Sequence, residues 1–275
     1  MTRPADRQAD GRFPPARKRF GQHFLEPAWV TKLVDAVRPG PDDTFLEIGP
    51  GRGALTRALA PRVGRILAVE IDRDLAARLE ADRVPNLQVV TADVLDVDLA
   101  ALLQGERLPA RAVGNLPYNV ASPILFRLLD AADDGRRLTD ATVMLQKEVA
   151  DRLAAKPGDA AYGALAIQMA LLADVERLMT LPPGAFRPPP KVMSAVVRLK
   201  FRPPVVDVGD RRTFEKVVRG VFLQRRKTLG NAFRPVAEAF GRSAAEVIDQ
   251  AALNPGVRPE TLTVEEFGRL CRAVL

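Results

Sequence analysis

From Thr44 onward, short apolar runs alternate along the chain with amphipathic stretches. Thr44–Ile48, Arg65–Glu70 and residues 87–92, 110–114 and 142–146 are aliphatic runs of strand length. Between and after them, residues 54–60, 74–81, 124–129 and 147–155 carry apolar positions at helical spacing, and Ser122-Pro123 reads as the N-cap and first position of the third. A helix is predicted earlier, over 27–37, where Trp29, Val30, Leu33, Val34 and Val37 share a face and Pro39-Gly40 ends it. Residues 162–172 give another helix. Residues 175–179 and 194–201 supply two more strands, the second with the period-two alternation of a sheet edge or hairpin. This pattern predicts an α/β fold with a mostly parallel, doubly wound sheet of seven strands and helices on both faces.

Beyond Arg202-Pro203-Pro204, which reads as a linker, the periodicity is helical only: 213–223, 226–233, 245–252 and 264–275. Ser243 with Glu246 and Thr263 with Glu266 have the spacing of capping boxes. Three parts are therefore expected: a disordered basic tail over 1–18, an α/β domain over 19–204 and a small all-helical domain over 205–275.

Composition narrows the function classes. The one cysteine, Cys271, excludes an internal disulfide and a cysteine-based metal cluster, and the one histidine, His23, argues against a histidine zinc site, so no metal is expected. No apolar stretch reaches bilayer length and the first residues are polar, which predicts a cytoplasmic protein without a membrane partner. The balance of 41 Lys+Arg against 34 Asp+Glu gives +7 and favours a polyanionic partner. The charge is concentrated in Arg3, Arg7, Arg12, Arg17, Lys18 and Arg19, and again in Arg225, Arg226 and Lys227.

Candidate chemistry collects at the strand ends. Glu47-Ile48-Gly49-Pro50-Gly51-Arg52-Gly53 joins the first strand of the alternation to its helix, and its glycines permit a tight turn and close approach of a ligand to the backbone. It departs from G-x-G-x-x-G and lacks the Lys-Ser/Thr of a phosphate loop, which counts against dinucleotide and nucleoside triphosphate binding. Glu70, about twenty residues after the glycines, is placed to accept from ribose hydroxyls. Asp93 and Asn115 close the next two strands, so three polar residues converge on one crevice at the carboxyl edge. Asn115-Leu116-Pro117-Tyr118 combines an amide acceptor, a rigid turn and an aromatic face. That set suits a flat base bearing an amine, although such a tetrapeptide alone is more often a strand-ending turn.

In this order the blocks resemble a Rossmann-like S-adenosylmethionine-dependent methyltransferase and, more narrowly, the ribosomal RNA adenine N6-dimethyltransferase family. The matching segments are Phe20-Gly21-Gln22-His23-Phe24-Leu25, Leu46-Glu47-Ile48-Gly49-Pro50-Gly51, Val69-Glu70-Ile71-Asp72, Ala92-Asp93, Asn115-Leu116-Pro117-Tyr118 and Phe186-Arg187-Pro188-Pro189-Pro190-Lys191-Val192. The resemblance implies S-adenosylmethionine as donor, with S-adenosylhomocysteine as product. Gly49 and Gly51 then pass beside its methionine part, Glu70 holds the ribose with Ile71 beside it, and Asp93 holds the adenine amine with Val94 beside it. Gln22, His23 and Leu25 cover the site. The family often has Asn where this chain has His23, which is given polar contact rather than acid–base chemistry. Asn115 and the Leu116 carbonyl accept the target N6 hydrogens, Tyr118 stacks on the base after Pro117, and Phe186 is the second aromatic wall. The flexible stretch around 157–163 is a candidate lid.

Residues 221–231, with Arg225, Arg226 and Lys227, and the close at Arg258-Pro259-Glu260-Thr261-Leu262 resemble the small-subunit branch, although Gly230 stands where Arg or Lys is more usual. That branch implies dimethylation of two adjacent adenosines near the 3′ end of 16S rRNA in a pre-30S particle. Arg225, Arg226, Lys227 and Lys191 become RNA contacts, and the protein acts as a monomer and assembly factor. The alternatives are the 23S rRNA branch, associated with macrolide resistance, and a mainly non-catalytic RNA-binding assembly factor. A DNA adenine methyltransferase usually opens the tetrapeptide with Asp and carries a target-recognition insertion, neither of which is present.

Overall fold

The structure is a computed structural model that describes residues 22–133 and 135–275. The expected tail and the arginines from Arg3 to Arg19 lie outside the described residues. The chain enters through a two-residue strand, β1 (Phe24–Leu25), and helix α1 (Pro27–Val37). The alternation then runs β2 (Thr44–Ile48), α2 (Ala54–Leu59), β3 (Arg65–Glu70), α3 (Arg73–Ala81), β4 (Leu87–Thr91), α4 (Leu99–Leu102), β5 (Ala110–Asn115), α5 (Ala121–Ala132), β6 (Leu138–Gln146) and α6 (Lys147–Leu153). There follow α7 (Ala164–Leu172), β7 (Ala173–Leu181), β8 (Phe186–Arg187), β9 (Ser194–Phe201), α8 (Arg211–Phe222), α9 (Leu229–Ala239), α10 (Ala244–Gln250) and α11 (Val264–Val274).

Seven strands form one sheet in the order β4-β3-β2-β5-β6-β9-β7, with β4, β3, β2, β5 and β6 mutually parallel. The order reverses between β2 and β5, and a doubly wound sheet opens its ligand crevice at such a reversal, beyond the carboxyl ends of the strands. β1 and β8 pair separately as an antiparallel ribbon, Phe24 opposite Arg187 and Leu25 opposite Phe186.

Two compact units emerge. One comprises the described residues up to Lys147 together with Arg177–Leu199; the other comprises Glu148–Glu176 and Lys200–Leu275. The boundary expected after residue 204 falls inside the second unit, which also takes in α7 and nearly all of α6.

In the first unit β2 is buried along its whole length, as a central parallel strand must be. α1 buries Val30, Leu33, Val34 and Val37, the i, i+3, i+4, i+7 stripe, against a core that includes Phe45, Ile66, Val113, Met144 and Val196. Each such side chain contributes about 1.5–3 kcal/mol. At the amino edge Arg111 ties three elements together. Its Nη2 donates to Asp140 Oδ2 at 2.9 Å and to the Val37 carbonyl at 2.8 Å, and its Nη1 to Asp43 Oδ2 at 2.9 Å. The opposite edge is left to the site.

In the second unit α8 packs through Phe214, Val217, Val218 and Val221. The stretch expected as a lid is fastened within this unit. Gly158 N donates to the Glu260 carbonyl at 2.8 Å, the buried Tyr162 hydroxyl donates to the Leu262 carbonyl at 2.8 Å, and Arg225 Nη2 donates to the Ala160 carbonyl at 2.6 Å.

Local departures have physical causes. α5 starts at Ala121 with Val120 before it, so Ser122 and Pro123 lie inside the first turn rather than at the cap and first position. β9 lies between β6 and β7 instead of at an edge; Ala195, Val197, Leu199 and Phe201 bury one of its faces, and Ser194 and Val196 are buried at the start of the other. α9 begins at Leu229, leaving Arg226 and Lys227 in the preceding turn, and runs through Pro235 to Ala239. Thr263 and Glu266 form their capping box; Ser243 makes no side-chain cap, and nothing in the structure explains the difference.

Candidate active site

The turn after β2 is built on left-handed glycines. Gly49, Gly51 and Gly53 have φ of 65°, 59° and 74°, a region that costs any residue with a Cβ. At Gly51 a Cβ would also stand 3.1 Å from the Phe24 ring, so the backbone there lies close under β1. The turn is pinned to the end of β3: Gly49 N donates to the Val69 carbonyl at 2.9 Å, and Gly51 N donates to Glu70 Oε2 at 2.9 Å. The other Glu70 oxygen accepts from Asp72 N at 2.8 Å. Burial raises the Glu70 carboxyl above its ordinary range, with these two amides working against the shift. Asp93 Oδ1 accepts from Leu95 N at 2.9 Å, which orients it at the end of β4.

Asn115 ends β5. Its side-chain nitrogen donates to the His23 carbonyl at 2.6 Å, so the amide plane is set and Oδ1 is the atom left for an incoming donor. Leu116 N donates to the Met144 carbonyl at 2.9 Å, which continues the ladder to β6 and holds the next peptide in place. The Tyr118 hydroxyl bonds Ser194 Oγ at 2.5 Å, and burial raises its pKa. The Tyr118 ring stacks against the His23 ring, centroids 5.4 Å apart at 25°. His23 is itself braced, its Nδ1 donating to the Pro188 carbonyl at 2.8 Å.

These groups surround a cavity of about 350 Å³ at the carboxyl edge, in the size range of a small-molecule site. Gln22, His23, Leu25, Gly49, Gly51, Glu70, Ile71, Asp93, Val94, Asn115, Leu116, Pro117 and Tyr118 all line it. Phe186 does not. The pairing of Leu25 with Phe186 turns its ring into the core, where it is 1% exposed, and the ring beside Tyr118 is His23. Lys191 is exposed in the loop before β9. In the second unit Arg226 and Lys227 are exposed, whereas Arg225 is bonded to Glu260 at 3.1 Å as well as to Ala160.

Two charged lining residues are not among the expected site residues. Arg52 holds its guanidinium 4.3 Å above the Phe24 ring. Glu47 is a fully buried acid on β2; the signal for it was available, as one carboxylate in the apolar run Thr44–Ile48.

A doubly wound sheet with a glycine turn, two strand-end carboxylates and a strand-end amide around one switch-point cavity defines a Rossmann-like S-adenosylmethionine-dependent methyltransferase. A family model described as ribosomal RNA adenine dimethylase matches residues 15–271, and the chain belongs to that family. It is 47% identical over 265 residues to "Ribosomal RNA small subunit methyltransferase A" of Xanthomonas euvesicatoria pv. vesicatoria, covering 95% of this chain and 97% of the relative. The Xanthomonas oryzae pv. oryzae protein of the same name is 48% identical over 260 residues, 93% of this chain and 95% of the relative. Among solved structures, a dimethyladenosine transferase from Plasmodium falciparum shares the fold, with a TM-score of 0.73 at 24% identity over 90% of this chain and 96% of that one. The 23S rRNA methyltransferase ErmE has a TM-score of 0.63 at 27% identity over 91% and 99%.

Proposed function

We propose that this chain transfers methyl groups from S-adenosylmethionine to N6 of two adjacent adenosines near the 3′ end of 16S rRNA. It does so as a cytoplasmic monomer on a pre-30S particle, whose assembly it also serves. The observation that carries the reading is the fixed Asn115 amide, its nitrogen held by the His23 carbonyl and its oxygen left for a base amine on the wall of a cofactor-sized cavity. The small-subunit choice is supported by relatives at 47–48% identity, against 27% for the 23S enzyme.

The bound cofactor supplies the electrophilic methyl as a sulfonium. The residues present fit it: left-handed glycines leave room beside the backbone, and Glu70 and Asp93 offer carboxylate acceptors at successive strand ends. The exocyclic amine of adenine is a poor nucleophile because its lone pair is delocalised into the ring. Acceptance of its hydrogens by Asn115 Oδ1 and the Leu116 carbonyl localises that pair and fixes its direction, so catalysis is alignment more than base strength. Tyr118, steered through its hydroxyl by Ser194, supplies the stacking face, and His23 completes the aromatic wall in place of Phe186. Stacking of this kind is worth about 1–3 kcal/mol per base and requires a base already out of its helix, as in an RNA loop. Arg226, Lys227 and Lys191 take phosphates, and Arg225 shapes the turn that carries the first two.

Labelled S-adenosylmethionine offered with undermethylated 30S particles, naked 16S RNA and 50S particles tests the reading. Label is expected in dimethyladenosine of the 30S particles; label in 50S particles alone would overturn the small-subunit choice. A Glu70→Ala protein that still binds pre-30S particles and fully supports assembly would favour the mainly non-catalytic factor.

A further inference from the structure

We propose that Glu47 makes the cofactor site selective for charge: as a carboxylate it favours the cationic sulfonium donor, and as a neutral acid it accommodates the uncharged thioether product. The inference rests on the proposed identity of the cofactor and goes beyond it to a residue with no assigned role.

Glu47 stands on β2, two residues before Gly49, and lines the cavity while being only 1% exposed. Among the described residues its Oε2 has no hydrogen-bond partner of good geometry, and the Thr56 hydroxyl, which faces the same carboxyl, is likewise left without one. A buried acid kept for structure would have both oxygens satisfied, and a residue kept for packing would be apolar. The surroundings neutralise it only in part. In register it lies beside Ala68 on β3 and Val113 on β5. The charged groups facing it are Glu70 from β3, which repels a second negative charge, and Arg57 from α2, with Thr56 as the neutral polar neighbour. Burial pushes the carboxyl up to about 7, offset in part by Thr56, with Glu70 raising it further and Arg57 opposing. Its titration is thus displaced toward neutral pH, where a cation entering the cavity favours release of the proton to solvent and a neutral occupant does not.

Calorimetric titration with S-adenosylmethionine and with S-adenosylhomocysteine, from pH 6 to pH 8, tests this on the wild-type chain and on Glu47→Gln. The donor-to-product affinity ratio of the wild type is expected to rise roughly tenfold over that range relative to the ratio of the variant. Titration of the donor's own amine enters both proteins equally and drops out of the comparison. Ratios that run parallel in the two proteins overturn the proposal. A second measurement needs no variant: in buffers of different ionisation enthalpy at pH 7, donor binding should release more protons than product binding, and equal release overturns it. Failure of the wild type to bind the donor at any pH would instead overturn the cofactor reading beneath it.

Discussion

Without a ligand, ionising Glu47 costs stability, and that cost should be readable in urea. The carboxyl titrates at about 7 in the folded chain against an ordinary value of 4.5. The folded state thus holds its proton more tightly than the unfolded state does. This contribution is present in full below about pH 4.5 and is lost as pH rises through about 7, the reverse of a salt-bridged carboxylate. A difference of some 2.5 units at about 1.4 kcal/mol per unit amounts to roughly 3 kcal/mol, of which about 2 kcal/mol falls between pH 5.5 and pH 8. Glu47→Gln keeps the shape and removes the titration, so the variant should gain about 2 kcal/mol on the wild type between those two pH values. The one tryptophan, Trp29, packs against the core of the first unit, so its fluorescence during urea unfolding follows the unit that contains Glu47. Wild type and variant with parallel pH dependence would refute both the raised titration and the burial argument behind it.

Four further outcomes are expected. Asn115→Ala should lower methyl transfer at least about a hundredfold while leaving donor affinity nearly unchanged, because alignment is lost rather than binding; equal methylation by the variant would remove Asn115 from the mechanism. Tyr162→Phe strands the Leu262 carbonyl in the interior of the second unit and should cost about 1–3 kcal/mol, read by thermal unfolding, with an unchanged melt counting against the fastening of 157–163. Replacing Arg226 and Lys227 with Ala should lower the salt slope of rRNA binding by about 2. Arg225→Ala should raise hydrogen exchange at Gly158, and exchange that stays unchanged would refute its anchoring role.

The parallel sheet was legible because each strand of the alternation is a continuous apolar run and each helix a periodic one. The candidate site was legible as a place because its residues sit where strands end, and a strand end can be located from pattern alone. What pattern could not locate was anything set by contact between distant segments. β1 and β8 are two residues each, too short to carry any periodicity, yet their pairing decides that Phe186 faces the core and brings His23 to Tyr118. β9 alternates like an edge strand, and its place between β6 and β7 is set by pairing that the pattern does not reveal. Arg225 read as one of three equivalent cations, and its bonds to Glu260 and Ala160 depend on a chain reversal that spacing does not reveal.

The β1–β8 ribbon also has a meaning for the time at which this protein becomes itself. It closes a span in which Glu26 and Arg187, ion-paired at 2.9 Å, are 161 positions apart. At about 5–20 residues per second of synthesis, the first strand waits on the order of ten to thirty seconds for its partner to be made. Through that interval the glycine turn can form against β3 while one wall of its cavity is still missing. A protein that modifies ribosomal RNA therefore completes its own binding pocket only after most of its length has been translated.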